Sequence, residues 1–473
     1  MSTVPDILES PEEVLSTLRR DGKRRWLYPV ESAGRFLRQR KVVGWILIVT
    51  WLLLPIIPIA GRPAVLLDVV RREFALFGLV FYPTDTVLLM AFLIGMITLV
   101  ILATAMLGRV WCGWGCPQTV YLEFIFRPIE RFFEGREVTR KRRDEGPASW
   151  DRTRRKTAKW TAYTLVSVVL AHTFVAYFVG WDSLLEWMTG SPREHWGVFV
   201  LMAATTGLIL FDFGYFREQM CTITCPYARM QSVLLDPDSL IVSYDPGRGE
   251  PRGKPNKKAI ADGSVAALGD CIDCAACVRT CPTGIDIRDG LQMECIACTQ
   301  CIDACDAIMD RVDKPRGLIR YTSENALAGK TVHRLRPRTV LYSLLLVIAL
   351  SAFTTVVVSR QDYDVNVGRV AGQPYSLVGD EQVANRLRFR VRNQTPGTSG
   401  FSVSMVNPAG EVRPVGTVPV LLEPGEMKRL EVWALLPQAA LASDRMDATF
   451  RIDFRDGSSQ TVTFPFLGPT LTP

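Results

Sequence analysis

Eight of the twelve cysteines of this 473-residue chain fall in two consecutive runs that share one internal spacing. Each run has the form Cys-x2-Cys-x2-Cys-x3-Cys, and proline follows the first run. Three closely spaced thiolates can hold three corners of a cubane iron–sulfur cluster, so each cluster needs a fourth ligand from elsewhere. The runs consist of Cys271, Cys274, Cys277 and Cys281, and of Cys295, Cys298, Cys301 and Cys305.

This spacing is that of bacterial two-cluster ferredoxins, in which the last cysteine of each run ligates the cluster of the other run. The pattern therefore predicts two [4Fe–4S] clusters. Zinc is the alternative, because Cys-x2-Cys pairs also bind zinc, although usually as two pairs separated by a longer loop. The predicted ligands are Cys271, Cys274, Cys277 and Cys305 for the first cluster, and Cys295, Cys298, Cys301 and Cys281 for the second.

The apolar residues are unevenly distributed, because the chain is 48% hydrophobic and yet 22% charged. Five apolar runs are long enough to cross a hydrocarbon layer of about 30 Å, which takes about 20 helical residues. We expect no cleaved signal peptide, since residues 1–21 are polar and acidic. The predicted spans are Val42–Ala60, Val87–Leu107, Trp160–Val179, Gly197–Phe216 and Thr339–Val358.

Basic residues in the connections predict the orientation of these spans. The segment after the second span is densely basic between Arg127 and Lys156, whereas the connection 180–196 holds Arg193 alone. This places the N-terminus and the ferredoxin module in the cytoplasm of a bacterium, whose reducing conditions suit free thiols, and the C-terminal region in the periplasm. The net charge of +7 is local to these connections and argues against a nucleic-acid partner, but it suits contact with membrane lipid.

The other four cysteines form a repeated motif, Cys-x3-Cys-Pro, after each of the first two pairs of spans. Because positions i and i+4 share one face of a helix, we expect each pair to present two thiols to one point. The prolines after the pairs break or kink the helix. A four-thiolate site suits Cu(I) or a further iron–sulfur centre, and buried structural cysteines are the alternative. The four are Cys112, Cys116, Cys221 and Cys225.

Three polar residues near the spans are weaker candidates. His172 lies within the third predicted span, where a metal-ligand or quinone role competes with a hydrogen bond between helices. Asp212 and Glu123 could carry protons or attract a cation. The alternative is that they are wet residues at the membrane surface or partners of Arg109 and Arg217. We expect no nucleotide cofactor, because the chain has no Gly-x-Gly-x-x-Gly motif in a suitable setting.

The region after residue 361 changes to alternating apolar and polar residues, as in the stretches 387–392, 401–406 and 450–454. Turn residues separate these stretches at intervals of about ten residues, which is typical of an immunoglobulin-like sandwich. We expect it to bind a partner, since it shows no chemical motif.

Taken together, these features predict an α-helical membrane protein with five transmembrane helices in a two-fold internal repeat. The helices would carry an inserted two-cluster module and a C-terminal β-sandwich. The predicted domains are 1–41, a cytoplasmic segment; 42–226, a membrane domain with two helix-pair repeats; 227–338, the ferredoxin-like module; 339–358, the fifth transmembrane helix; and 359–473, a periplasmic immunoglobulin-like β-sandwich.

This order of motifs, from about Tyr28 to the end, resembles the cytochrome c oxidase accessory protein family (FixG/RdxA/CcoG). Asp306 replaces the proline that follows the last cysteine in ferredoxins, a departure that the family tolerates. The resemblance implies reduction of Cu(II) to Cu(I) during assembly of a cbb3-type oxidase, with oxidase subunits or copper chaperones as partners.

The resulting hypothesis is that electrons from a cytoplasmic donor, which the sequence does not identify, enter the ferredoxin module and reach copper at the four membrane cysteines. One alternative is quinol or quinone chemistry, with those cysteines structural or holding a third cluster. Another is a non-catalytic assembly scaffold whose sandwich binds oxidase subunits.

Overall fold

The computed structural model describes residues 16–17, 23–59, 61–69, 73–82, 85–254, 268–333, 335–379, 381–395 and 397–469. The chain divides into two compact units, Met1–Phe353 and Thr354–Pro473. Most of the N-terminal segment expected to be polar lies outside the described residues. The described α-helices are α1 Arg35–Leu53, α2 Thr86–Leu107, α3 Val110–Trp114, α4 Pro117–Tyr121, α5 Arg127–Glu134, α6 Glu137–Glu145, α7 Trp150–Val179, α8 Trp181–Thr189, α9 Trp196–Phe211, α10 Pro226–Leu234, α11 Pro246–Gly249, α12 Ala276–Thr280, α13 Gln300–Arg311, α14 Glu324–Leu327 and α15 Pro337–Val358.

Four helical segments of the described chain are long and apolar enough to cross a membrane. Three of them are largely exposed, as expected for helices that face lipid, whereas Trp150–Val179 is buried over 44% of its apolar window. Such a set of apolar helices identifies a membrane protein. The segments are Thr86–Leu107, Trp150–Val179, Trp196–Phe216 and Pro337–Val358.

The first of the five predicted spans, Val42–Ala60, is helical only as far as Leu53. Helix α1 begins earlier, at Arg35, and ends at Leu53, before a short strand at Pro58–Ile59. Pro55 and Pro58 explain the end, because proline lacks the N–H that a helix interior requires. The apolar part of α1, residues 42–53, reaches only about 18 Å at about 1.5 Å per residue. This is well short of the hydrocarbon thickness of about 30 Å.

The start of α1 is fixed by the ferredoxin module. The backbone N–H groups of Phe36 and Leu37 donate to the carboxylate of Asp303, over 3.2 and 2.8 Å. Asp303 lies in the first turn of α13, between Cys301 and Cys305. The free N–H groups at a helix start need such acceptors, so the module supplies the cap of a helix more than 260 residues earlier in the chain.

The ferredoxin module combines α11–α14 with a two-stranded antiparallel sheet, and a short 3₁₀ helix at Ile287–Asp289 precedes its second cysteine run. Two small antiparallel sheets lie earlier in the sequence, between α1 and α2. The strands of this first unit are β1 Pro58–Ile59, β2 Arg62–Pro63, β3 Val65–Asp68, β4 Glu73–Leu76, β5 Leu79–Phe81, β6 Ile241–Tyr244 and β7 Ile319–Thr322.

The second unit is a sandwich of two antiparallel sheets, in the orders β12-β14-β10-β8, with β9 beside β10, and β13-β11-β15-β16. Alternate residues such as Leu387, Phe389 and Val391 are fully buried, which confirms the period-two prediction. Tyr363 stacks on Phe454 with ring centroids 3.6 Å apart. The strands are β8 Tyr363–Arg369, β9 Ser376–Val378, β10 Gln382–Asn393, β11 Ser399–Asn407, β12 Glu411–Val415, β13 Val420–Leu422, β14 Met427–Pro437, β15 Arg445–Phe454 and β16 Ser459–Leu467.

Candidate functional site

The two cysteine loops of the ferredoxin module share an unusual backbone. Asp273 and Ala275 flank Cys274 with φ of 50° and 52°, and Ala297 and Thr299 flank Cys298 with φ of 51° and 62°. A left-handed conformation is unfavourable for residues other than glycine, so it persists only where the surroundings require it. The same strain at matching positions shows that both loops are built alike to present their thiols.

One group of thiols contains Cys305 together with the first three cysteines of the first run. Burial raises the pKa of Cys305 to about 12, and the thiols of Cys277, Cys274 and Cys271, together with Asp306, raise it further. Charges interact in this way only when they lie close together. We call Cys271, Cys274, Cys277 and Cys305 the first thiol set.

The second group joins Cys281 to the first three cysteines of the second run. Burial raises the pKa of Cys301 well above its ordinary value. The thiols of Cys298, Cys295 and Cys281 raise it further. Cys277 of the first thiol set also contributes, so the two groups adjoin. We call Cys281, Cys295, Cys298 and Cys301 the second thiol set. A narrow cavity is lined by all four of them and by Cys277.

The spacing of these thiols fits iron–sulfur clusters better than zinc. All twelve cysteines are free. Nowhere in the described part of the chain do three His, Cys, Asp or Glu side chains converge closely enough to hold one ion. Tetrahedral zinc with Zn–S distances of about 2.3 Å would require sulfurs under about 4 Å apart. A cubane separates its four thiolates more widely, so the two sets suit [4Fe–4S] clusters.

The four membrane cysteines lie at helix junctions and do not share a helix face, which corrects the prediction of one face per pair. Helix α3 contains Cys112 and ends at Trp114, and Cys116 is the N-cap of α4. Cys221 lies in the π-helical turn Met220–Thr224, and Cys225 is the N-cap of α10. A residue before proline disfavours the helical conformation, so Cys116 and Cys225 are extended.

The two motifs nevertheless repeat each other closely. The N–H of Cys116 donates to the carbonyl of Trp111 over 2.8 Å, and the N–H of Cys225 donates to Met220 over the same distance. Both bonds span five residues, as in a π-helix, and such turns are frequent at functional sites. The duplication predicted from the sequence is thus present in the backbone of the two motifs.

The folded chain brings the four membrane thiols together. Burial raises the pKa of Cys221, and the nearby thiols of Cys116, Cys112 and Cys225 raise it further. Burial, and then the thiol of Cys116, raises the pKa of Cys112 to about 12. We call these four the third thiol set. These four thiols are neighbours. As in the other two sets, no three of them lie close enough together to hold a single ion.

The second thiol set packs directly against the third. Cys112, Ile296 and Cys298 form one buried apolar cluster, with Cys221 and Tyr227 packed against it. The link is made through Cys298, because the other three thiols of the second set pack against the buried cluster that contains Cys271 and Cys277 of the first set. Because this cluster excludes water, charges near it are screened less than they would be in solvent.

Gly113 makes this approach possible. A Cβ at this position would lie 2.7 Å from the carbonyl oxygens of both Ile296 and Ala297. Backbone atoms cannot move away as a flexible side chain can, so the contact requires glycine. The loop of the second thiol set therefore lies directly on the backbone of the first membrane motif.

Several hydrogen bonds hold this interface. Arg109 donates to the carbonyl oxygens of Met293 and Cys295, the latter over 3.1 Å. Trp114 Nε1 donates to the Tyr321 hydroxyl over 3.0 Å. The Tyr321 hydroxyl donates in turn to the carbonyl of Ala297 over 3.3 Å. The position of the second cysteine loop is thus set from both sides.

A buried network of charges surrounds the junction. Glu123 accepts from Arg127 over 2.9 Å and from Gln300, beside Cys301, over 2.7 Å. Glu130 accepts from Arg217 over 2.7 Å and from Arg140 over 2.5 Å. The guanidinium groups hold the pKa of Glu130 at about 2 in spite of its burial. Charges buried this deeply are retained only when they are paired.

The weaker sequence candidates have structural partners. Glu123 is buried, so the prediction of a wet interfacial residue is wrong. Arg109 bonds backbone carbonyls, and Asp212 accepts from Gln118 over 3.2 Å. The His172 ring nitrogen Nδ1 lies 2.7 Å from the carbonyl of Val168 in its own helix, which accounts for a half-buried polar ring without a metal. Sequence reasoning missed Gly113, although a glycine between two motif cysteines could have indicated a close contact.

Models of three protein families match the chain. A 4Fe-4S dicluster domain matches residues 216–324, which include the first and second thiol sets with Cys221 and Cys225. A 4Fe-4S binding domain matches residues 88–136, which include Cys112 and Cys116. The model described as the IG-like fold at the C-terminal of FixG matches residues 353–469.

Three curated relatives match over most of their length. Nitrogen fixation protein FixG of Rhizobium meliloti is 32% identical over 467 residues, covering 89% of this chain and 88% of FixG. Protein RdxB of Cereibacter sphaeroides is 34% identical over 420 residues, covering 85% of this chain and 86% of RdxB. Protein RdxA of the same organism is 35% identical over 405 residues, covering 81% and 83%.

The apolar helices, the clustered thiols and the matched domains define a membrane-bound iron–sulfur electron-transfer protein. The match to the relatives extends through the membrane helices, the ferredoxin module and the sandwich alike. The chain belongs to the FixG family, which includes RdxA and RdxB.

Proposed function

We propose that this protein delivers electrons from its ferredoxin module to the third thiol set, where Cu(II) is bound as substrate and reduced to Cu(I). The observation that carries the proposal is the single buried cluster that Cys298 and Cys112 form with Ile296. The proposed destination of the Cu(I) is a cbb3-type oxidase, reached through oxidase subunits or copper chaperones. In the proposed topology the module faces the cytoplasm of a bacterial inner membrane and the sandwich faces the periplasm.

The donor set at the membrane side suits this substrate. Each cluster, when bound, supplies one-electron transfer, and the step Cu(II) + e⁻ → Cu(I) consumes one electron from a reduced donor. Thiolates are soft ligands that favour Cu(I) over harder cations. Cys112 is buried and the other three thiols are half-buried. Two of the four thiolates suffice for Cu(I), so the lack of a three-ligand site among the described residues does not prevent its binding.

Copper reduction is tested in a single turnover. The purified protein is reduced anaerobically, the excess reductant is removed, and Cu(II) is added with a chromogenic Cu(I) chelator. We expect about two Cu(I) ions for each chain that holds two one-electron clusters. A variant with Cys112, Cys116, Cys221 and Cys225 all changed to Ala should lose at least about nine-tenths of the rate, because the soft ligands are gone.

The matched control is Thr222→Ala. It changes a side chain between Cys221 and Cys225 whose hydrogen bond, among the described residues, goes to the carbonyl of Glu218. It should react at the wild-type rate. Iron content must be equal in all three proteins. A wild-type rate in the four-cysteine variant would show that copper is reduced elsewhere and would defeat the proposal.

A second candidate is that the third thiol set holds a further [4Fe–4S] cluster and the protein exchanges electrons with a quinol. The observation in its favour is the 4Fe-4S binding domain match across Cys112 and Cys116. Iron and acid-labile sulfide analysis separates the two candidates. Two clusters give about eight iron atoms per chain and three give about twelve.

A further inference from the structure

Arg40, on α1, is a fully buried cation with little to balance it. Its side chain is 0% exposed. Its Nε donates to the carbonyl of Gly113 over 2.8 Å, whereas Nη1 and Nη2 have no hydrogen-bond partner in the described part of the chain. Arginine is almost never fully buried unless it is paired, and an unpaired buried charge is strongly unfavourable. Two orphaned donors on one buried guanidinium therefore call for a ligand.

The surroundings of Arg40 point to the second thiol set. Its bonded partner Gly113 lies against Ile296 and Ala297, and Ala297 immediately precedes Cys298. The guanidinium opposes the effect of burial on the pKa of Cys298. On its other side lies the Phe124 ring, whose centroid is 5.6 Å away.

The titratable groups that face Arg40 do not neutralise it. Glu123 is the carboxylate that senses its charge, but Glu123 is already bonded to Arg127 and Gln300. Tyr321 also senses it, with a hydroxyl that is raised in pKa by burial and stays neutral. Because Arg40 is excluded from water, its positive charge is poorly screened.

The first thiol set also has an arginine nearby, but that arginine is paired with carboxylates. Arg288 influences Cys277, but its guanidinium is paired with Asp286 over 2.6 Å and with Asp273 over 2.5 Å. The positive charge beside the first thiol set is thus cancelled locally, whereas that beside the second is not. The reduction potential of a cluster depends on the net charge, hydrogen bonds and solvent exposure around it.

We propose that Arg40 is a positioning residue that stabilises the reduced state of a cluster at the second thiol set. Its Nη groups, which have no partner among the described residues, supply positive charge near Cys298, while its Nε binds the first membrane motif. An electron in the module then rests at the thiol set nearest the membrane cysteines. The inference rests on clusters at the first two thiol sets and is independent of copper as the substrate.

The test is an EPR-monitored redox titration of the purified full-length protein and of Arg40→Gln. In Arg40→Gln we expect one of the two midpoint potentials to fall by about 59 mV, which corresponds to a tenfold change in the equilibrium constant of a one-electron reduction. The other midpoint potential should be unchanged. Arg40→Lys keeps the charge and should recover most of the shift. Arg38→Gln, an exposed arginine on the same helix, should move neither midpoint.

Arg288→Gln assigns the signals, because it should lower the other midpoint. Iron content is measured on every variant. Unchanged midpoints in Arg40→Gln, or equal shifts of both, would overturn the proposal. Loss of iron from both Arg40→Gln and Arg40→Lys would also overturn it, since Arg40 would then be required for folding whatever its effect on potential. A failure of copper reduction would leave these midpoints unaffected.

Discussion

Replacing Gly113 with leucine is expected to slow electron transfer from the ferredoxin module to copper by about a hundredfold, the scale on which a misplacement of about 1 Å acts in catalysis. The added Cβ would meet two carbonyl oxygens at 2.7 Å, and both belong to the loop of the second thiol set. The loop must move away from Cys112, yet all twelve cysteines remain. The rate is measured by stopped-flow absorbance after mixing the reduced protein with Cu(II).

The matched control for this prediction is Gly115→Ala in the same motif. There the added Cβ would meet the side chain of Trp111, also at 2.7 Å, but a side chain can turn aside. We expect at most a few-fold change in rate. A Gly113→Leu protein with full iron content and an unaltered rate would show that the contact of the two thiol sets is not the route.

Glu130→Gln is expected to lower the free energy of unfolding by about 3–5 kcal/mol, the usual effect of removing one partner of a buried ion pair. Glu130 is buried, and its carboxylate accepts from both Arg217 and Arg140. The amide would leave the buried guanidinium of Arg140 without its salt-bridge partner, and that of Arg217 with Glu218 alone, at 3.7 Å. Thermal unfolding in detergent measures the loss. Glu145→Gln, at an exposed pair with Lys141, should change stability by less than about 0.5 kcal/mol.

The same carboxylate predicts a dependence on pH. The pKa of Glu130 is lowered from 4.5 to about 2 in the folded protein. Its contribution to stability is therefore complete above pH 4.5 and is lost as the pH falls toward 2. It is worth on the order of 3 kcal/mol, since one pKa unit corresponds to about 1.4 kcal/mol. Glu130→Gln should flatten this part of the stability profile. An unchanged profile would mean that Glu130 is not paired as described.

Local spacing predicted much of this molecule. The intervals within the two cysteine runs indicate how the thiols of the module are grouped, because three ligands in one short loop must share one neighbourhood. Apolar length indicates the membrane helices, and alternation along residues such as Leu387 and Phe389 indicates the sandwich. In each case the signal lies within about twenty residues of sequence.

The errors and omissions have physical reasons too. The single-face prediction for the membrane cysteines ignored that Pro117 and Pro226 hold the residues before them in an extended conformation. Pro55 should have ended the first predicted span. The burial of Arg40 could not be predicted, because it depends on Gly113, 73 positions further along the chain, and on a loop that is more distant still.

The Asp303 cap of α1 has a consequence for how the protein matures. The capping carboxylate lies between Cys301 and Cys305, which belong to different thiol sets, so its place is defined only when both cysteine loops are ordered. Newly made chains that have not received iron would lack this anchor, and α1 would be left without its start. Iron starvation should therefore leave the N-terminal part of such chains more open to proteolysis, so that copies without clusters are removed.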